Sequence, residues 1–533
     1  MPGLGALLKR DHTLFGGVLF GIDGHVIELQ ARAVEALDEP QPWRQAVTIT
    51  GMAGGAVSEA MDRITGAFAK FAIPRPEVEI LTNLAPADLL KEGTSLDLPL
   101  AIIILQAAGM LPDLPEQVEE QFLLMGELGL HGEIRRVPGV LSIAACTQAG
   151  RTLIVPRGNE KECALILASP GHEGCRVCAV ETLEEVIHFF QGKRKLDNAL
   201  TQRVEFTNVV PKCVDFGRIR GQDEAKEAAL LAAAGGHNLL LVGTPGEGKS
   251  LLAGAIPGIL PRLRDPEKVE LTRIYSACGE LPNDGDVVAR RPMRSVHHTA
   301  SKQAIVGGGS RIPRPGEVTL AHLGVLFLDE LPEFSASTLD ALRQPLEDGV
   351  VHVSRVGGTM TFPCRFTLVA AMNPCRCGYY GSDACRCRPG DVQRYQAKIS
   401  GPILDRIDLQ VEMARLTTED RFAEARDQDS PMLRQRVEAA RDRQHSRFRD
   451  TGIPFNAAIP GGHVLDYCQF SPPALDRYKA IVDQNRVTTR SVDRLAKVAR
   501  TVADLAESDM LMPDHVDRAA QFVLGGPMRK AFA

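Results

Sequence analysis

The hydrophobic pattern of the 533-residue chain separates three blocks. The first block mixes short apolar segments with a helical pattern of apolar residues; the apolar segments are 47–50, 78–81 and 153–155, and the helical pattern is 56–71. This mixture predicts an α/β or α+β unit. A polar, charged stretch, QGKRKLDNALTQRVEF, follows and is typical of a linker.

The second block carries three short apolar runs that end in polar residues, HNLLLVG, GVLFLDE and FTLVAAMN. Such runs are expected for central strands of a parallel sheet, which are buried on both faces. The third block has apolar residues at helical spacing among many charges, as at 438–448 and 490–505, and predicts a helical lid or bundle. The predicted domains are an N-terminal domain (1–196), a linker (197–214), an α/β core (215–416) and a helical lid (417–533).

Composition narrows the class of protein without identifying a partner. The chain is 44% hydrophobic and 24% charged, which is ordinary for a globular protein, and its formal net charge is -6. No apolar run has the length needed to span a bilayer, and the N-terminus lacks the order of a secretory signal. With 12 scattered cysteines and no export signal, we expect a reducing, cytoplasmic environment and no membrane partner.

The run HNLLLVG leads directly into GTPGEGKS and then into a helix-compatible segment. This is the GxxxxGK[ST] loop in its strand–loop–helix context, which binds ATP through backbone N–H groups. Lys249 is expected to contact the β- and γ-phosphates, and Ser250 to bind Mg²⁺. The predicted nucleotide-binding residues of this motif are Gly243, Thr244, Pro245, Gly246, Glu247, Gly248, Lys249, Ser250 and Leu251.

Two further apolar runs deliver polar side chains at their ends. The run VLFLDE ends in Asp329, suited to binding Mg²⁺, and Glu330, suited to orienting and polarising the attacking water. The run FTLVAAMN ends in Asn373, which can hold that water or contact the γ-phosphate. Taken alone, Asn373 is better explained as a residue that caps the strand.

Three arginines are candidates for contacts with nucleotide. Arg406, in ISGPILDRIDL, can reach a neighbouring subunit's γ-phosphate in an oligomer; the alternative is a surface salt bridge to Asp405 or Asp408. Arg490 and Arg494 lie one helical turn apart on one predicted helix face. We expect Arg490 to contact nucleotide and Arg494 to pair with an acid.

Four cysteines form the pattern CxC-x7-CxC, namely Cys375, Cys377, Cys385 and Cys387. Four thiolates at this compact spacing can close a tetrahedral Zn²⁺ site and stabilise a loop with little core of its own. The alternative is a set of free cysteines.

Basic residues are concentrated between Arg290 and Arg314, a range that we call the basic segment. Such charges suit phosphate contacts and would give salt-dependent, largely sequence-independent binding to a nucleic-acid backbone. The candidate DNA contacts are Arg294, His297, His298, Lys302 and Arg311. On the residues alone, a solvated charged loop or contacts with a neighbouring subunit would explain these charges better.

These motifs, with PRPGEVTLAHLGVLFLDELPEF, RRPMRSVHHTAS, AAMNPCRCGYYG and SVDRLAKVARTVADL, resemble the Mg-chelatase-type branch of AAA+ proteins, and more narrowly the ComM/YifB family. The resemblance covers nearly the whole chain. It implies an N-terminal α+β domain like that of Lon protease (S5 domain 2-like), a P-loop AAA+ core and a C-terminal helical Mg-chelatase-like domain. It also implies that Lys249, Ser250, Asp329, Glu330, Asn373, Arg406 and Arg490 take the roles given above.

The same resemblance implies a hexameric ring that acts on DNA as a branch-migration helicase during recombination. In the Lon-like segment the nucleophilic serine falls on Ser95, whereas the catalytic lysine falls near Leu141. Leucine cannot accept the serine proton. We therefore predict a turn or helix-capping role for Ser95 and no protease activity.

Two other functions compete with a DNA-translocating ATPase. A motor subunit of a metal chelatase would use the same core, but the long N-terminal domain argues against it. A protein-remodelling or regulatory ATPase would use that domain as a binding module for an unknown protein partner.

Overall fold

The computed structural model describes residues 8, 10–51, 55–113, 121–167, 171–199, 213–282, 287–309, 312–355, 358–419, 429–485 and 488–528. Most of the predicted linker lies outside these residues, and so does Arg311. Within the described ranges, no helix is both long and apolar enough to cross a membrane.

The first block folds around a seven-stranded sheet. Its strands and those of a small hairpin are β1 (Asp11–Phe20), β2 (Asp23–Ala36), β3 (Val47–Thr50), β4 (Val78–Ala85), β5 (Phe122–Leu124), β6 (Glu127–Leu128), β7 (Ile134–Arg135), β8 (Thr152–Pro156) and β9 (Arg176–Val180). The order in the sheet is β3-β4-β2-β1-β5-β8-β9, and β6 pairs with β7. The three predicted apolar segments are strands β3, β4 and β8, which confirms the mixed α and β content of this block.

Helices cover this sheet. They are α1 (Trp43–Ala46), α2 (Gly55–Lys70), α3 (Asp97–Ala107), α4 (Val140–Ala145), α5 (Glu160–Leu167) and α6 (Leu183–Phe190). Every residue of α3 is buried, so the most apolar run of the chain is a core helix. A helix that is apolar on all sides is expected at the centre of a globular unit.

The second block contains a five-stranded sheet and a separate hairpin. The strands are β10 (Leu239–Val242), β11 (Met293–Val296), β12 (Val325–Leu328), β13 (Val350–Arg355), β14 (Gly358–Pro363), β15 (Thr367–Met372) and β16 (Leu409–Glu412). The sheet order is β11-β12-β15-β10-β16, with every neighbouring pair parallel, and β13 pairs with β14. The three predicted central runs are β10, β12 and β15, so the prediction of a parallel sheet is confirmed.

Helices pack on both faces of the parallel sheet. Those of the second block are α7 (Asp223–Gly235), α8 (Lys249–Ala255), α9 (Asp265–Cys278), α10 (Lys302–Val306), α11 (Glu317–Leu320), α12 (Ala336–Ala341), α13 (Arg343–Asp348), α14 (Pro389–Gln396) and α15 (Gly401–Leu404). Short 3-10 turns lie at Phe216–Arg218, Ile256–Gly258, Leu331–Glu333 and Asn456–Ala458.

In the described residues, the regular elements of the last block are helices and the 3-10 turn Asn456–Ala458. The helices are α16 (Asp429–Arg447), α17 (Val464–Cys468), α18 (Pro472–Asn485), α19 (Thr489–Leu505) and α20 (Pro513–Val523). Val437 of α16 and Leu495 of α19 belong to the same buried cluster as Leu239, Leu241 and Val369 of the sheet. One continuous core therefore joins the terminal helices to the parallel sheet.

The first block docks on α9 through buried polar contacts. The Ser276 hydroxyl donates to Glu162, and the backbone N–H of Gly139 donates to the Ser276 carbonyl at 3.0 Å. Arg273 pairs with Asp23 beside them. Buried polar groups need partners, so these contacts fix one relative position of the two sheets.

Candidate functional site

All five strands of the parallel sheet end at the same edge, because parallel strands point the same way. The loop 243–248 follows β10, Asp329 follows β12 and Asn373 follows β15. His297 follows β11, the outermost strand of the sheet. The carboxyl edge of a parallel sheet is where α/β proteins bind ligands, so the predicted site residues meet at the expected place.

The loop 243–248 wraps around the start of α8. Gly246 and Gly248 adopt φ values of +86° and +89°, which glycine accepts at little cost. A methyl group on either glycine would meet no heavy atom within 4 Å, so the space beside both residues is open. Helix α8 begins at Lys249, with its free N–H groups at this loop, and such a terminus favours an anion. Leu251, in the first turn, is 44% exposed.

Lys249 is held at the centre of the site. Its Nζ donates to the carbonyls of Gly243 at 2.6 Å and Thr244 at 2.9 Å, and to Asn373 Oδ1 at 3.0 Å. Burial lowers the pKa of Lys249, and the nearby carboxylates of Asp329 and Glu247 oppose that shift. The lysine thus connects the loop after β10 with the strand end of β15.

The acidic pair after β12 lies against α8. Ser250 Oγ donates to Asp329 Oδ2 at 2.8 Å, and the backbone N–H of Glu330 donates to Asp329 Oδ1 at 2.9 Å. A hydroxyl and a carboxylate in contact are the oxygen ligands that Mg²⁺ uses beside substrate phosphates. The Glu330 side chain is 54% exposed beside this pair. The structure therefore brings together the lysine, hydroxyl and carboxylates that the motifs predict.

A glutamine that the sequence analysis did not identify supports the loop. Gln222 is buried, has a φ of +61°, and donates to the Ala414 carbonyl at 2.7 Å and more weakly to the Glu247 carbonyl at 3.4 Å. The N–H of Ala414 donates back to Gln222 at 3.0 Å. Gln222 thus connects the loop 243–248 with the end of β16, and a strained backbone at such a residue indicates that it holds the loop in position. Its sequence signal is weak, a Gly-Gln pair before α7.

The two arginines predicted to contact nucleotide share one carboxylate. Arg406, only 11% exposed, pairs with Glu347 and donates to the Pro402 carbonyl at 2.8 Å. Arg490 lies 3.5 Å from the other oxygen of Glu347. The alternative partners for Arg406 were wrong, because α13 presents a glutamate that the local sequence does not reveal. Arg494 is buried, lies 3.7 Å from Asp405 and donates to the Ile407 carbonyl at 2.7 Å.

The basic segment is less positive than its composition implies. Arg294 pairs with both oxygens of Glu317, at 2.6 and 2.9 Å, and with Glu280 at 3.0 Å, and hydrogen bonding to Glu317 raises its pKa. Arg291 is likewise paired with Glu267. As a DNA contact Arg294 would have to lose this pairing, so its predicted role needs correction: Arg294 ties β11 to α11.

The other DNA-contact candidates differ in placement. His297 and Lys302 are exposed, and the ring of His297 bonds to Thr299 at 2.9 Å. His298 faces inward and lies 3.1 Å from Glu330. Arg290 and Arg314, also in the basic segment, are exposed. Arg311 lies outside the described residues.

The four cysteines of the CxC-x7-CxC pattern converge in one cluster. The four sulfurs all lie within 4.8 Å of one another, and those of Cys375, Cys377 and Cys385 are 3.3, 3.7 and 3.9 Å apart. Sulfurs bound to one tetrahedral zinc at ~2.3 Å would be about 3.8 Å apart. The cluster therefore has the spacing of a metal site and not of two disulfides.

The loop that carries the four cysteines, 375–387, which we call the cysteine loop, also contacts the loop 243–248, which we call the nucleotide loop. A methyl group on Gly378 would lie 2.6 Å from Pro245 Cδ, and Gln396 of α14 donates to the Pro374 carbonyl at 2.9 Å. Pro374 follows Asn373 directly. The cysteine loop thus lies between the end of β15 and the loop after β10.

Ser95 and Leu141, the positions examined for protease chemistry, lie apart from this edge. Ser95 is buried in the turn before α3, as predicted, and its hydroxyl donates to the Gly17 carbonyl at 2.7 Å. Leu96, not Ser95, occupies the N-cap of α3, so a capping role is wrong. Leu141 is buried in the core.

Comparison with protein families finds three matches along the chain. The model of "Magnesium chelatase, subunit ChlI" matches residues 215–421, and that of its C-terminal part matches 427–523. A third, "Subunit ChlI of Mg-chelatase", matches residues 41–159.

Several curated proteins are similar over most of their length. "Uncharacterized protein YifB" of Escherichia coli strain K12 is 40% identical over 484 residues, which is 89% of this chain and 91% of that protein. "Competence protein ComM" of Haemophilus influenzae is 37% identical over 478 residues, again 89% and 91%. "Magnesium-chelatase subunit ChlI" of Olisthodiscus luteus is 28% identical over 183 residues, or 32% of this chain and 53% of that protein.

Proposed function

The chain belongs to the ComM/YifB family of Mg-chelatase-like proteins, and from this membership we propose that it is an ATP-hydrolysing AAA+ motor that acts on DNA. The observation that carries the proposal is the contact of Ser250 with Asp329 at 2.8 Å, beside a Lys249 that reaches Asn373 at 3.0 Å. A loop that binds phosphates and a strand that ends in acidic residues meet there at bonding distance. That is the arrangement that phosphoryl transfer to water requires.

The residues of the site fit magnesium and a nucleoside triphosphate. Bound there, Mg-ATP would supply the phosphoryl group that water attacks. The open space beside Gly246 and Gly248 leaves room for phosphates next to the free N–H groups of α8. Ser250 and Asp329 would hold the metal, and Lys249 would exchange its carbonyl and Asn373 partners for phosphate oxygens.

The chain's own groups then divide the catalytic work. Glu330 accepts a proton from the attacking water, and Asn373 holds that water in line. General-base catalysis of this kind contributes about a hundredfold or more to the rate. Arg406 acts on the site of a neighbouring subunit by leaving Glu347, and Arg490 contacts nucleotide after the same release. These two roles require a ring, for which we propose a hexamer.

The rest of the proposed architecture follows the family. The seven-stranded unit is an α+β domain of the Lon-protease type without protease chemistry, since Leu141 offers no proton acceptor to Ser95. The terminal helices form the Mg-chelatase-type lid. Their common core with the parallel sheet makes them suited to transmitting changes at the nucleotide.

DNA is the proposed substrate, with branch migration or helicase action during recombination or DNA uptake. One relative is named a competence protein, and competence is the uptake of DNA. On this chain, one segment contains the exposed basic side chains Arg290, His297, Lys302 and Arg314. Its strand β11 pairs with β12, the strand that precedes Asp329 and Glu330. Exposed cations in this density favour phosphate backbones.

A DNA-stimulated ATPase assay tests the proposal. We expect branched or single-stranded DNA to increase ATP turnover at moderate salt, and Lys302→Ala combined with Arg314→Ala to weaken DNA binding without loss of ATP binding. Lys479→Ala, at an exposed lysine of α18, is the matched control. If DNA neither binds nor stimulates turnover of an active ATPase, the DNA part of the proposal is wrong.

A chelatase-type motor is the second candidate, because the matched family models carry that description. The similarity to a chelatase subunit covers only 32% of this chain, however, against 89% for the ComM relative. ATPase activity that ignores DNA would favour this candidate or a protein-remodelling ATPase.

We propose that the four-cysteine cluster is a structural zinc site. Cys375, Cys377, Cys385 and Cys387 would be the ligands, and closing them on one ion would fix a loop that has little apolar core. Protein purified without chelator should contain one zinc per chain, and the variant with these four cysteines changed to serine should contain none. Cys146→Ser, at an exposed cysteine elsewhere, is the control. Zinc that is absent, or that persists in the four-serine variant, would refute the site.

A further inference from the structure

The turn that joins β1 to β2 reaches from the first block to the hairpin β13–β14. Ile22 of this turn is buried in one apolar cluster with Met360 and Phe362 of β14, and Phe20 packs against the same cluster. A methyl group on Gly21 would lie 2.7 Å from Met360 Cε and 3.2 Å from Phe362 Cε1. The tip of the β1–β2 turn therefore lies directly against β14.

The β1–β2 turn is itself held in place by α4 and α9. The carbonyl of Ile22 accepts a hydrogen bond at 2.7 Å from the hydroxyl of Ser142, a buried residue of α4. Arg273 of α9 donates to the same hydroxyl at 3.2 Å and pairs with Asp23, the first residue of β2. Because these polar groups bond to one another, the turn has one position relative to both helices.

The hairpin β13–β14 depends on support from other elements, because its sheet has two strands in the described residues. Its buried side chains are Val351, Val353, Met360 and Phe362. The residues between them along each strand, His352 and Thr361, are exposed, so the hairpin has one apolar face. A two-stranded hairpin is at best marginally stable in water unless such a face packs on other elements.

The register of the hairpin relates the first block to the opposite strand. Met360, which lies against the β1–β2 turn, pairs with Val353 of β13, and Gly358 pairs with Arg355. A methyl group on Gly358 would lie 2.9 Å from Phe20 Cζ. Two positions of β14 that lie against the first block are therefore paired with Val353 and Arg355.

These two residues of β13 contact the end of the basic segment. Arg355 Nε donates to the Gly309 carbonyl at 2.8 Å, and a methyl group on Gly307 would lie 3.3 Å from Val353 Cγ2. The backbone N–H of the glycine between them donates to the Arg314 carbonyl at 3.0 Å. The contacts thus run from the first block through the hairpin to Arg314, one of the exposed cations of the segment.

We propose that the β1–β2 turn supports the hairpin, and that the hairpin in turn positions the basic segment for DNA. The exposed cations Lys302 and Arg314 lie on either side of the glycines that the hairpin contacts. Cations that are already held in one arrangement lose less conformational freedom on binding and therefore bind DNA more tightly. The first block thus sets the affinity for DNA through the hairpin. This inference rests on the proposed binding of DNA by the basic segment.

The first test measures the support of the hairpin in protein free of DNA and nucleotide. Ile22→Ala removes apolar contact beside the hairpin, whereas the control Ile64→Ala removes the same buried side chain from α2, in a different cluster. In Ile22→Ala, amide hydrogen exchange should become about tenfold faster or more in β13, in β14 and at Gly308, because a lost isoleucine side chain makes local opening easier. Exchange at these amides in Ile64→Ala should match the wild type.

The second test measures DNA affinity by the fluorescence anisotropy of a labelled branched DNA at moderate salt. Ile22→Ala should bind this DNA about tenfold more weakly than Ile64→Ala, a coupling of ordinary size between linked sites. The two variants should bind a slowly hydrolysed ATP analogue equally. Equal DNA affinities would overturn the control of DNA binding by the first block.

A milder pair of variants gives the same comparison if Ile22→Ala does not fold. Phe20→Ala removes a half-buried ring beside Gly358. Phe189→Ala removes a half-buried ring of α6, elsewhere in the first block, and is the control. Faster exchange in the hairpin and weaker DNA binding are expected for Phe20→Ala alone.

The outcomes separate this inference from the proposed function. If the hairpin of folded Ile22→Ala exchanges at the wild-type rate, the support is wrong and the motor stands. If the hairpin exchanges faster but Gly308 and the DNA affinity are unchanged, the connection to the basic segment is wrong, and the motor again stands. If the wild type binds no DNA, the DNA part of the proposed function fails together with this inference, whereas the exchange rates still show whether the turn supports the hairpin.

Discussion

Arg500 is the largest side chain of the terminal helices that is wholly shielded from solvent. It lies 3.1 Å from Asp504 and donates to the carbonyls of Cys468 at 3.2 Å and Asp509 at 2.8 Å. Burial lowers the pKa of Arg500, and Asp504 opposes the shift. Truncation would remove a hydrogen-bond donor from the buried Asp504 carboxylate and from two carbonyls, which is far costlier than loss of an exposed ion pair.

Arg500→Ala should therefore lower the free energy of unfolding by about 3 kcal/mol. The matched control is Arg477→Ala, whose side chain is 45% exposed and pairs with Asp517 at 2.7 Å; it should cost less than about 1 kcal/mol. Urea unfolding monitored by circular dichroism measures both. Equal losses of unfolding free energy in the two variants would show that burial does not determine the cost of removing these arginines.

The role of a single residue can be predicted from sequence when that residue belongs to a motif with fixed local spacing. Lys249, Ser250 and Asp329 were predicted because each belongs to a contiguous motif whose chemistry needs those residue types. Glu347, which holds Arg406 and Arg490, and Gln222, which supports the loop, act on partners distant in the chain. Their roles depend on tertiary contacts that no local pattern encodes.

At the scale of elements, the shape of the site depends on two loops. One is the nucleotide loop after β10, and the other is the cysteine loop after β15. They touch where Gly378 approaches Pro245. Gly378 and Gly381 have the same φ, +88°, but a methyl group on Gly381 would meet nothing within 4 Å. This pair separates the effect of backbone strain from the effect of displacing the nucleotide loop.

Gly378→Ala should weaken ATP binding about tenfold relative to Gly381→Ala, equivalent to about 1.4 kcal/mol. Both variants carry the same cost of a left-handed alanine, but only the first displaces Pro245. Isothermal titration calorimetry with a slowly hydrolysed ATP analogue gives the comparison. Equal affinities would show that the two loops do not depend on each other.

Buried strands were the elements easiest to predict. β10, β12 and β15 are apolar on both faces and end in polar residues, so composition alone marks them. β11, at the edge of the sheet, has the sequence MRSV with one buried residue and is not distinguished from the basic segment around it. The consequence was substantial, since the placement of His298 opposite Glu330 depends on that strand.

The whole molecule combines a site at one sheet edge with two attached units. The terminal helices share the core of the parallel sheet, although their sequence indicated a separate lid. The first block is fixed on α9 by Ser276 and Glu162, and burial raises the pKa of Glu162. The sequence predicted the units but not these interfaces, because each joins residues of different blocks, as Ser276 and Glu162 do across 114 positions of the chain.

Nucleotide turnover by the pure protein tests the central claim most directly. Wild type and Glu330→Gln should bind Mg-ATP with similar affinity, since Glu330 is not a ligand of the phosphates, while turnover in the variant falls about a hundredfold or more. Parallel measurement of equilibrium binding and phosphate release decides the matter. A wild type that releases no phosphate, or a Glu330→Gln variant that turns over at the wild-type rate, would contradict the assignment of this sheet edge as an ATPase site.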